Sequence, residues 1–299
     1  MQTRSFKTAS GRKVAFHIHN PAGRHTVVFC HPAPGSGQYS PELALLQDMD
    51  VKLIGVDRPG YGQSDPVVSG DWATVGGAAD DIAEMLRMEG ISAVGALGWS
   101  AGGRVALALS ARHPDLVQHV AVVATPAPDE AVKWVPEEIL LGMQAMKGMS
   151  SEQVHAAMAF QFSEGFDPSN PEMALGMLGA SEADHVILSR PEAKKALEHM
   201  LHMAFEQGFQ GMVADIAGYM MQPWGFSPEQ VQVPVQLFYG TSDPIIGLLH
   251  AEWWQKSLPN AETHEVSGAG HLLMADLWPS VLRFLTPLTR AGIRSGMAS

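Results

Sequence analysis

The sequence predicts an α/β fold in which a mostly parallel central sheet, flanked by helices, is interrupted by an all-helical insertion. Up to residue 128, apolar runs of strand length alternate with helical segments, and this alternation is typical of parallel sheets. The stretch 129–223 shows only helical segments broken by Gly and Pro, and strand-like runs return in 224–299. We therefore expect a core domain of residues 1–128 and 224–299 and a helical cap (lid) subdomain of residues 129–223.

The strands of the first half are predicted from short, nearly continuous apolar runs, which are typical of strands buried on both faces of a sheet. In chain order these runs are KVAFHIHN, HTVVFCHP, VKLIGVD, ISAVGALGW and VQHVAVVATP. A helix is predicted over 72–89, where the apolar residues share one helical face, and a second helix over 101–112. The glycine- and proline-rich RPGYGQSDP, which follows VKLIGVD and precedes the first of these helices, is predicted to be a loop.

The insertion contains five predicted helices and most of the methionines of the chain. The helices are expected over 136–148, 151–162, 171–179, 190–206 and 208–221. Eleven of the 17 methionines lie within 129–223. Because methionine is flexible and fills irregular apolar space, we expect most of them to form the interior of the cap and a few to line a substrate pocket.

The last part of the chain returns to the α/β pattern. VPVQLFYGTSDP and AETHEVSGAGH are each predicted to be a strand with its exit loop. AEWWQKSL and LLMADLWPSVLRFLTPL are predicted helices, and the tail RAGIRSGMAS is expected to be loosely held.

Composition and charge exclude several classes of function. A hydrophobic content of 46% with 17% charged residues is typical of a soluble globular protein. The net charge of −12 argues against nucleic acid and against anionic membranes as partners. No signal peptide or membrane span is predicted. The single cysteine, Cys30, excludes an intramolecular disulfide and is predicted to be a buried structural thiol, so we expect a cytoplasmic protein.

A serine between glycines marks the predicted reactive centre. Gly98-Trp99-Ser100-Ala101-Gly102 follows a strand and opens a helix, which is the setting of the G-x-S-x-G nucleophile elbow. The glycines allow a sharp turn, and the helix N-terminus favours developing negative charge at the serine. The alternative is a serine that only caps the helix.

A serine nucleophile needs a base and an acid that orients the base. In this arrangement the three residues follow in the order Ser, acid, His. Asp243 ends a strand and His271 lies in a glycine-lined loop after the last strand. We therefore predict Ser100, Asp243 and His271 as the catalytic residues, with Asp129, after an earlier strand, as the alternative acid.

The predicted oxyanion hole needs two N–H donors. One is the amide of Ala101, which follows the nucleophile. The other is expected from the loop HPAPGSG, where Pro32 and Pro34 lack an N–H and Ala33 retains one. The sequence therefore predicts Ala33 and Ala101 as the two donors.

Two further residues, Trp99 beside the nucleophile and His31 in the oxyanion loop, are predicted to contact substrate. His199 and His202 have helical spacing, but no matching third ligand lies near them in the sequence. Because zinc sites usually need three or four protein ligands, no metal site is predicted. No organic cofactor is required by serine chemistry.

Five short motifs together resemble one known family. HPAPG, DRPGYGQSD, GWSAGG, GTSDP and GAGH occur in this order over nearly the whole chain. They are similar to those of the α/β-hydrolase superfamily, in particular its members with a helical cap and a Ser-Asp-His triad. The chain departs from the usual His-Gly of the oxyanion loop at His31-Pro32. Ser100 also distinguishes it from the related haloalkane dehalogenases and epoxide hydrolases, which use an aspartate.

The resemblance implies acyl transfer to water. We expect hydrolysis of a small or medium apolar carboxylic ester through an acyl-enzyme, with a small molecule as the only required partner. Carbon–carbon bond hydrolysis of a β-diketone-like substrate and then amide or peptide hydrolysis are the alternative reactions. A ligand receptor that keeps the fold, or a scaffold with a vestigial triad, is the alternative outside enzymes. The sequence leaves the oligomeric state open, with a homodimer as one option.

Overall fold

The computed structural model describes residues 1–179 and 181–286, apart from the side chain of Pro171. In this part of the chain, eight strands form one sheet in the order β1-β2-β4-β3-β5-β6-β7-β8. The pairs that involve β1 and β2 are antiparallel, and all others are parallel. The strands are β1 Gln2–Lys7, β2 Lys13–His19, β3 His25–Cys30, β4 Val51–Val56, β5 Val94–Trp99, β6 Val117–Val123, β7 Val235–Gly240 and β8 Ala261–Val266.

Helices flank this sheet, as the sequence predicts for an α/β fold. Two of them, α3 and α11, both contact β5 and β6, which lie at the centre of the sheet. The helices of the described chain are α1 Leu43–Asp48, α2 Val75–Met88, α3 Ala101–Arg112, α4 Glu137–Ala145, α5 Ser151–Gly165, α6 Pro171–Leu178, α7 Glu182–Leu188, α8 Pro191–Ala204, α9 Gln210–Met221, α10 Leu248–Ser257 and α11 Met274–Leu285.

The centre of the sheet is fully buried, and its first strand is not. Every residue of β5 is buried, as expected for a parallel strand covered on both faces. In β1 only Phe6 is buried. This strand was not predicted, because an edge strand with polar side chains gives no apolar run. Helix α1 was also not predicted, since it is short and buries only Leu46.

Six helices, α4 to α9, follow one another between β6 and β7. Five of them correspond to the predicted segments, with ends that differ by a few residues, and α7 was not predicted. The proposed boundaries 129 and 223 both fall in non-helical stretches. No helix in the described residues is both long and apolar enough to cross a membrane. The tail RAGIRSGMAS and the last two residues of the final predicted helix lie outside the described residues.

Helix α9 joins the helical region to the sheet. Asp215 of α9 forms an ion pair with Arg58, which follows β4, with Oδ2 and Nη2 2.7 Å apart and both residues buried. The apolar interior is also continuous, because Met200 and Leu201 of α8 belong to the same cluster of buried residues as the strands. The helical region therefore packs on the sheet, and a second, smaller cluster of Val154, Met158, Val213 and Ala217 lies within it.

Candidate active site

Ser100 occupies a strained turn between β5 and α3. Its backbone has φ +53° and ψ −124°, a conformation that residues other than glycine rarely adopt. The turn is held by hydrogen bonds to the end of β6 and to the residues that follow it. The N–H of Ser100 donates to the carbonyl of Val123 at 2.8 Å, and its own carbonyl accepts from Thr125 Oγ1 at 2.8 Å. These contacts place Ser100 at the carboxyl edge of the sheet.

The small neighbours of Ser100 are required by close backbone packing. A Cβ atom at Gly102 would overlap the backbone carbonyls of Cys30 and His31, and one at Gly98 would overlap the backbone of Gly102 and Gly103. Helix α3 can therefore approach β3 and β5 only where these positions lack a side chain. This is the physical reason for the glycine-rich run around the serine.

Asp243 and His271 come from different loops and meet at the same edge of the sheet. His271 Nδ1 and Asp243 Oδ2 are 2.7 Å apart. The other carboxylate oxygen accepts the N–H groups of Ile245 at 3.0 Å and Ile246 at 2.9 Å. Burial alone would raise the pKa of Asp243. The hydrogen bond and charge of His271 and these two amides together outweigh burial, so the pKa lies below its ordinary value. Asp243 is thus an ionised acceptor that orients the imidazole.

Asp129, the alternative acid, lies elsewhere and has other partners. Its carboxylate accepts the N–H groups of Trp134 and Val135, both at 3.0 Å, and pairs with Lys133 Nζ at 2.8 Å. It therefore stabilises the turn that leads into α4. Of the two candidate acids, Asp243 is the one in contact with His271.

Ser100, Ala101, Asp243 and His271 all line one cavity of about 290 Å³. This is the smaller end of the range for small-molecule sites. Most of the remaining wall is apolar or aromatic and comes from the loops around β7 and from the helical region. These wall residues are Pro126, Trp134, Gly176, Met177, Leu178, Gly179, Asp184, Tyr219, Pro244, Ile245 and Ile246.

The comparison with known proteins agrees with this architecture. Residues 25–150 match a family model described as the alpha/beta hydrolase fold. The chain has the α/β-hydrolase fold and is a hydrolase. A pimeloyl-[acyl-carrier protein] methyl ester esterase of Chromobacterium violaceum is 29% identical over 217 residues, which cover 72% of this chain and 75% of that protein.

Solved structures with the same fold align with nearly the whole length of the hydrolase. A hydrolase from Pseudomonas aeruginosa has a TM-score of 0.70 at 18% identity, covering 94% of this chain and 97% of that one. A thermophilic esterase from Thermogutta terrifontis has a TM-score of 0.68 at 20% identity, covering 95% and 96%. At these identities the likeness establishes the fold of the hydrolase.

The two predicted oxyanion donors lie on adjacent elements. Ala101 begins α3, where the N–H groups of the first turn have no partner within the helix. Ala33 follows β3, whose last residue Cys30 pairs in register with Gly98 of β5, so the two loops leave the sheet side by side. Ala101 lines the cavity and Ala33 does not. The assignment of Ala33 in the hydrolase remains a prediction.

The oxyanion loop is held by a buried arginine. Arg58 Nη1 donates to the carbonyl of His31 at 2.5 Å, and Nη2 donates to the carbonyl of Pro32 at 3.0 Å. The same guanidinium pairs with Asp215 of α9. The carbonyls before Ala33 are therefore directed towards Arg58, and α9 helps to hold the loop.

Trp99 and His31 do not contact the cavity, which corrects the prediction that they bind substrate. Both side chains are fully buried and neither lines the wall. Trp99 Nε1 donates to the carbonyl of His271 at 3.2 Å. His31 Nδ1 donates to the carbonyl of Pro32 at 2.7 Å, while Nε2 accepts the N–H of Arg58 at 3.2 Å. Both residues are next to the site along the chain, but their rings lie behind its wall, where they support the loops.

Asp184 of α7 was not predicted as a site residue. It is fully buried and lines the cavity. Its Oδ1 accepts the N–H of Leu272 at 2.8 Å, next to His271, and its Oδ2 accepts the hydroxyl of Ser181 at 2.6 Å. The spacing Ser181-x-x-Asp184 is a capping-box pattern, which was the available signal for both α7 and this contact.

Of the two histidines considered for metal binding, His199 contacts a glutamine. His199 Nε2 lies 3.1 Å from Gln38 Oε1. Within residues 1–179 and 181–286 there is no group of three or more His, Cys, Asp or Glu side chains arranged to hold a metal ion.

Proposed function

We propose that the hydrolase cleaves carboxylic esters with Ser100 as nucleophile, His271 as general base and Asp243 as the orienting acid. The observation that carries the proposal is the 2.7 Å contact between His271 and Asp243 in the cavity that Ser100 lines. Named relatives that are esterases support an ester as the substrate class.

The proposed reaction follows from the protonation states in the site. Because ionised Asp243 accepts a hydrogen bond from the Nδ1–H of His271, the Nε2 of the ring is free to accept the hydroxyl proton of Ser100. The Ser100 oxygen then attacks the ester carbonyl carbon, and the amides of Ala101 and Ala33 stabilise the oxyanion. His271 donates the proton to the departing alcohol. It next activates water, which releases the acid and restores Ser100.

The wall of the cavity supports an apolar substrate. Apart from the reacting groups and Asp184, the wall is formed by proline, aliphatic, methionine and aromatic residues. Such walls bind ligands by removing apolar surface from water, and the few polar groups orient the ligand. The proposed substrates are small or medium esters with an apolar acyl or alcohol part.

Hydrolysis of p-nitrophenyl esters by the wild-type enzyme and by Ser100→Ala tests this proposal. We expect the wild-type enzyme to cleave the esters and the variant to lose at least about 10³-fold in kcat at an unchanged Tm. A vinylogous diketone is assayed in parallel. Full activity of Ser100→Ala, or cleavage of the diketone without cleavage of any ester, would overturn the proposal.

A further inference from the structure

A second, larger cavity lies next to the proposed active site. It measures about 500 Å³ and is bounded by the segment before α4 and by α4, α5 and α9. Trp134, Met177 and Tyr219 line both cavities. We propose that this second cavity binds the distal apolar part of the substrate, so that the hydrolase prefers esters with a medium to long alkyl chain. The inference rests on the proposed function.

The wall of the second cavity has the chemistry expected of an alkyl-chain site. Its polar side chains, besides the shared Trp134 and Tyr219, are only Glu138 and Gln161. Methionines from four segments contribute to it, and their flexible thioethers adapt to chains of different shape. These methionines are Met143, Met146, Met158, Met177 and Met220.

Two helices leave this space open instead of filling it. Helix α4 buries none of its residues, although Ile139 and Met143 are among them. Gly142 of α4 and Gly165 of α5 both line the cavity, and a Cβ atom at either position would meet nothing within 4 Å. Glycine within a helix is less favourable than alanine, and Gly142 lies inside α4. The absence of a side chain at Gly142 and Gly165 leaves the cavity wider at these two positions.

The junction between the cavities contains a buried donor. Among the described residues, the indole Nε1 of Trp134 is inaccessible to solvent and has no hydrogen-bond partner. A buried donor without an acceptor destabilises a protein. Because a molecule the size of water does not reach this nitrogen, the inference rests on the shape and the apolar wall of the cavity and not on this donor.

The second cavity is expected to set the preference of the enzyme for the length of the alkyl chain in the ester. Each methylene that leaves water for the cavity contributes about 0.8 kcal/mol, which corresponds to a gain of about threefold to fourfold in kcat/KM. Acetate and butyrate esters fit within the first cavity. We expect kcat/KM to rise from p-nitrophenyl butyrate to octanoate and decanoate, as the chain passes Trp134 and Met177.

Cavity-filling variants in two different helices, α4 and α5, test the inference. Gly142→Phe and Gly165→Phe should lower kcat/KM for p-nitrophenyl decanoate by at least about tenfold and leave p-nitrophenyl acetate within twofold. Leu141→Phe is the matched control, because Leu141 is 58% exposed, belongs to the same helix and does not line the cavity. It should leave both rates unchanged, and thermal unfolding verifies that each variant is folded.

The outcomes separate this inference from the proposed function. If the wild-type enzyme prefers acetate, or if folded Gly142→Phe and Gly165→Phe keep the preference for decanoate, the second cavity does not bind the chain. Cleavage of acetate that depends on Ser100 would still support the proposed function. If esters of every length remain intact, the proposed function itself fails.

Discussion

The edge of the sheet and the helical region differ in the space around their glycines. At Gly102, two residues after the proposed nucleophile Ser100, an added Cβ would overlap the backbone of β3, whereas at Gly142 in α4 it would meet nothing within 4 Å. Backbone contacts therefore define the position of Ser100. In the helical region, space and flexible methionines define the wall. We infer that Ser100 is held rigidly, while the helical region proposed to bind the rest of the substrate is adaptable.

The two regions are nevertheless connected by two buried carboxylates. Asp184 accepts the N–H of Leu272 beside His271, and Asp215 pairs with Arg58 behind the oxyanion loop. Both carboxylates come from helices of the insertion and both act on loops of the sheet. The helical region thus supplies part of the cavity wall and also holds the loops that carry the proposed reacting groups.

The largest effect on kcat is expected from substituting a histidine at the sheet edge, and a histidine of the helical region serves as the control. His271→Gln should lower kcat for p-nitrophenyl esters by at least about 10³-fold, because Ser100 loses its general base. His199→Gln, in α8, is the control and should leave kcat within twofold, since His199 contacts Gln38 outside the cavity. Steady-state kinetics measure both, and equal losses in the two variants would remove the distinction between the regions.

A pair of glycine substitutions tests the contrast in packing directly. Gly102→Ala should lower the free energy of unfolding by about 2 kcal/mol or more, because the added methyl overlaps Cys30 and His31. Gly142→Ala should raise it by about 0.5–1 kcal/mol, because alanine is the better helix former and the space is open. Urea unfolding measures both. A tolerated alanine at position 102 would show that the elbow is not held by backbone contact.

Asp184 connects the two regions, because it belongs to the helical region and we infer that it positions the loop of His271. Asp184→Ala should lower kcat about tenfold with little change in KM, because the Leu272 amide loses its acceptor and His271 is held less well. Asp184→Asn retains an acceptor oxygen and should recover most of kcat.

Asp167→Ala is the matched control, since Asp167 is a carboxylate of the same region whose contacts are with Ser169. It should leave kcat unchanged. A loss of stability in Asp184→Ala with unaltered kcat would assign Asp184 a purely structural role.

The smallest expected effect concerns pH. Burial, together with the charge of Arg58, lowers the pKa of His31 well below its ordinary value of 6.5. The unfolded chain therefore takes up a proton as the pH falls through 6.5 and the folded chain does not, so stability is full above this pH and declines below it.

Between pH 7.5 and 5.5, His31 should account for a loss of about 1 kcal/mol in the free energy of unfolding. His31→Gln should flatten this part of the pH dependence, and His202→Gln, an exposed position of α8, should leave it unchanged. Urea unfolding at a series of pH values gives the slopes. An identical slope in His31→Gln and the wild type would contradict a neutral buried His31.

Seven of the eight strands, and the placement of Ser100, Asp243 and His271 after strand ends, were accessible from sequence because each depends on local signals. Buried parallel strands are continuous apolar runs, and the site residues stand where strands end. Strand β1 gave no such signal, since only Phe6 is buried. Local patterns also failed for Trp99 and His31, because the sequence gives a position next to the site and not the side of the wall that the ring occupies.

The shape of the second cavity depends on contacts between segments that are far apart in the chain. Trp134, Met158 and Met220 come together only when α4, α5 and α9 pack. The high methionine content of the insertion indicated an adaptable interior. Which of those methionines form the core and which form a wall follows from tertiary structure alone.

Labelling with a fluorophosphonate, followed by peptide mass spectrometry, tests the central claim that the sheet edge supplies the reacting atoms. We expect one adduct per chain, on the peptide that contains Ser100, no adduct in Ser100→Ala and slower labelling in His271→Gln. Gly142→Phe should be labelled at the wild-type rate by a probe with a short alkyl group. An adduct at another residue, or an active enzyme that remains unlabelled, would contradict the account.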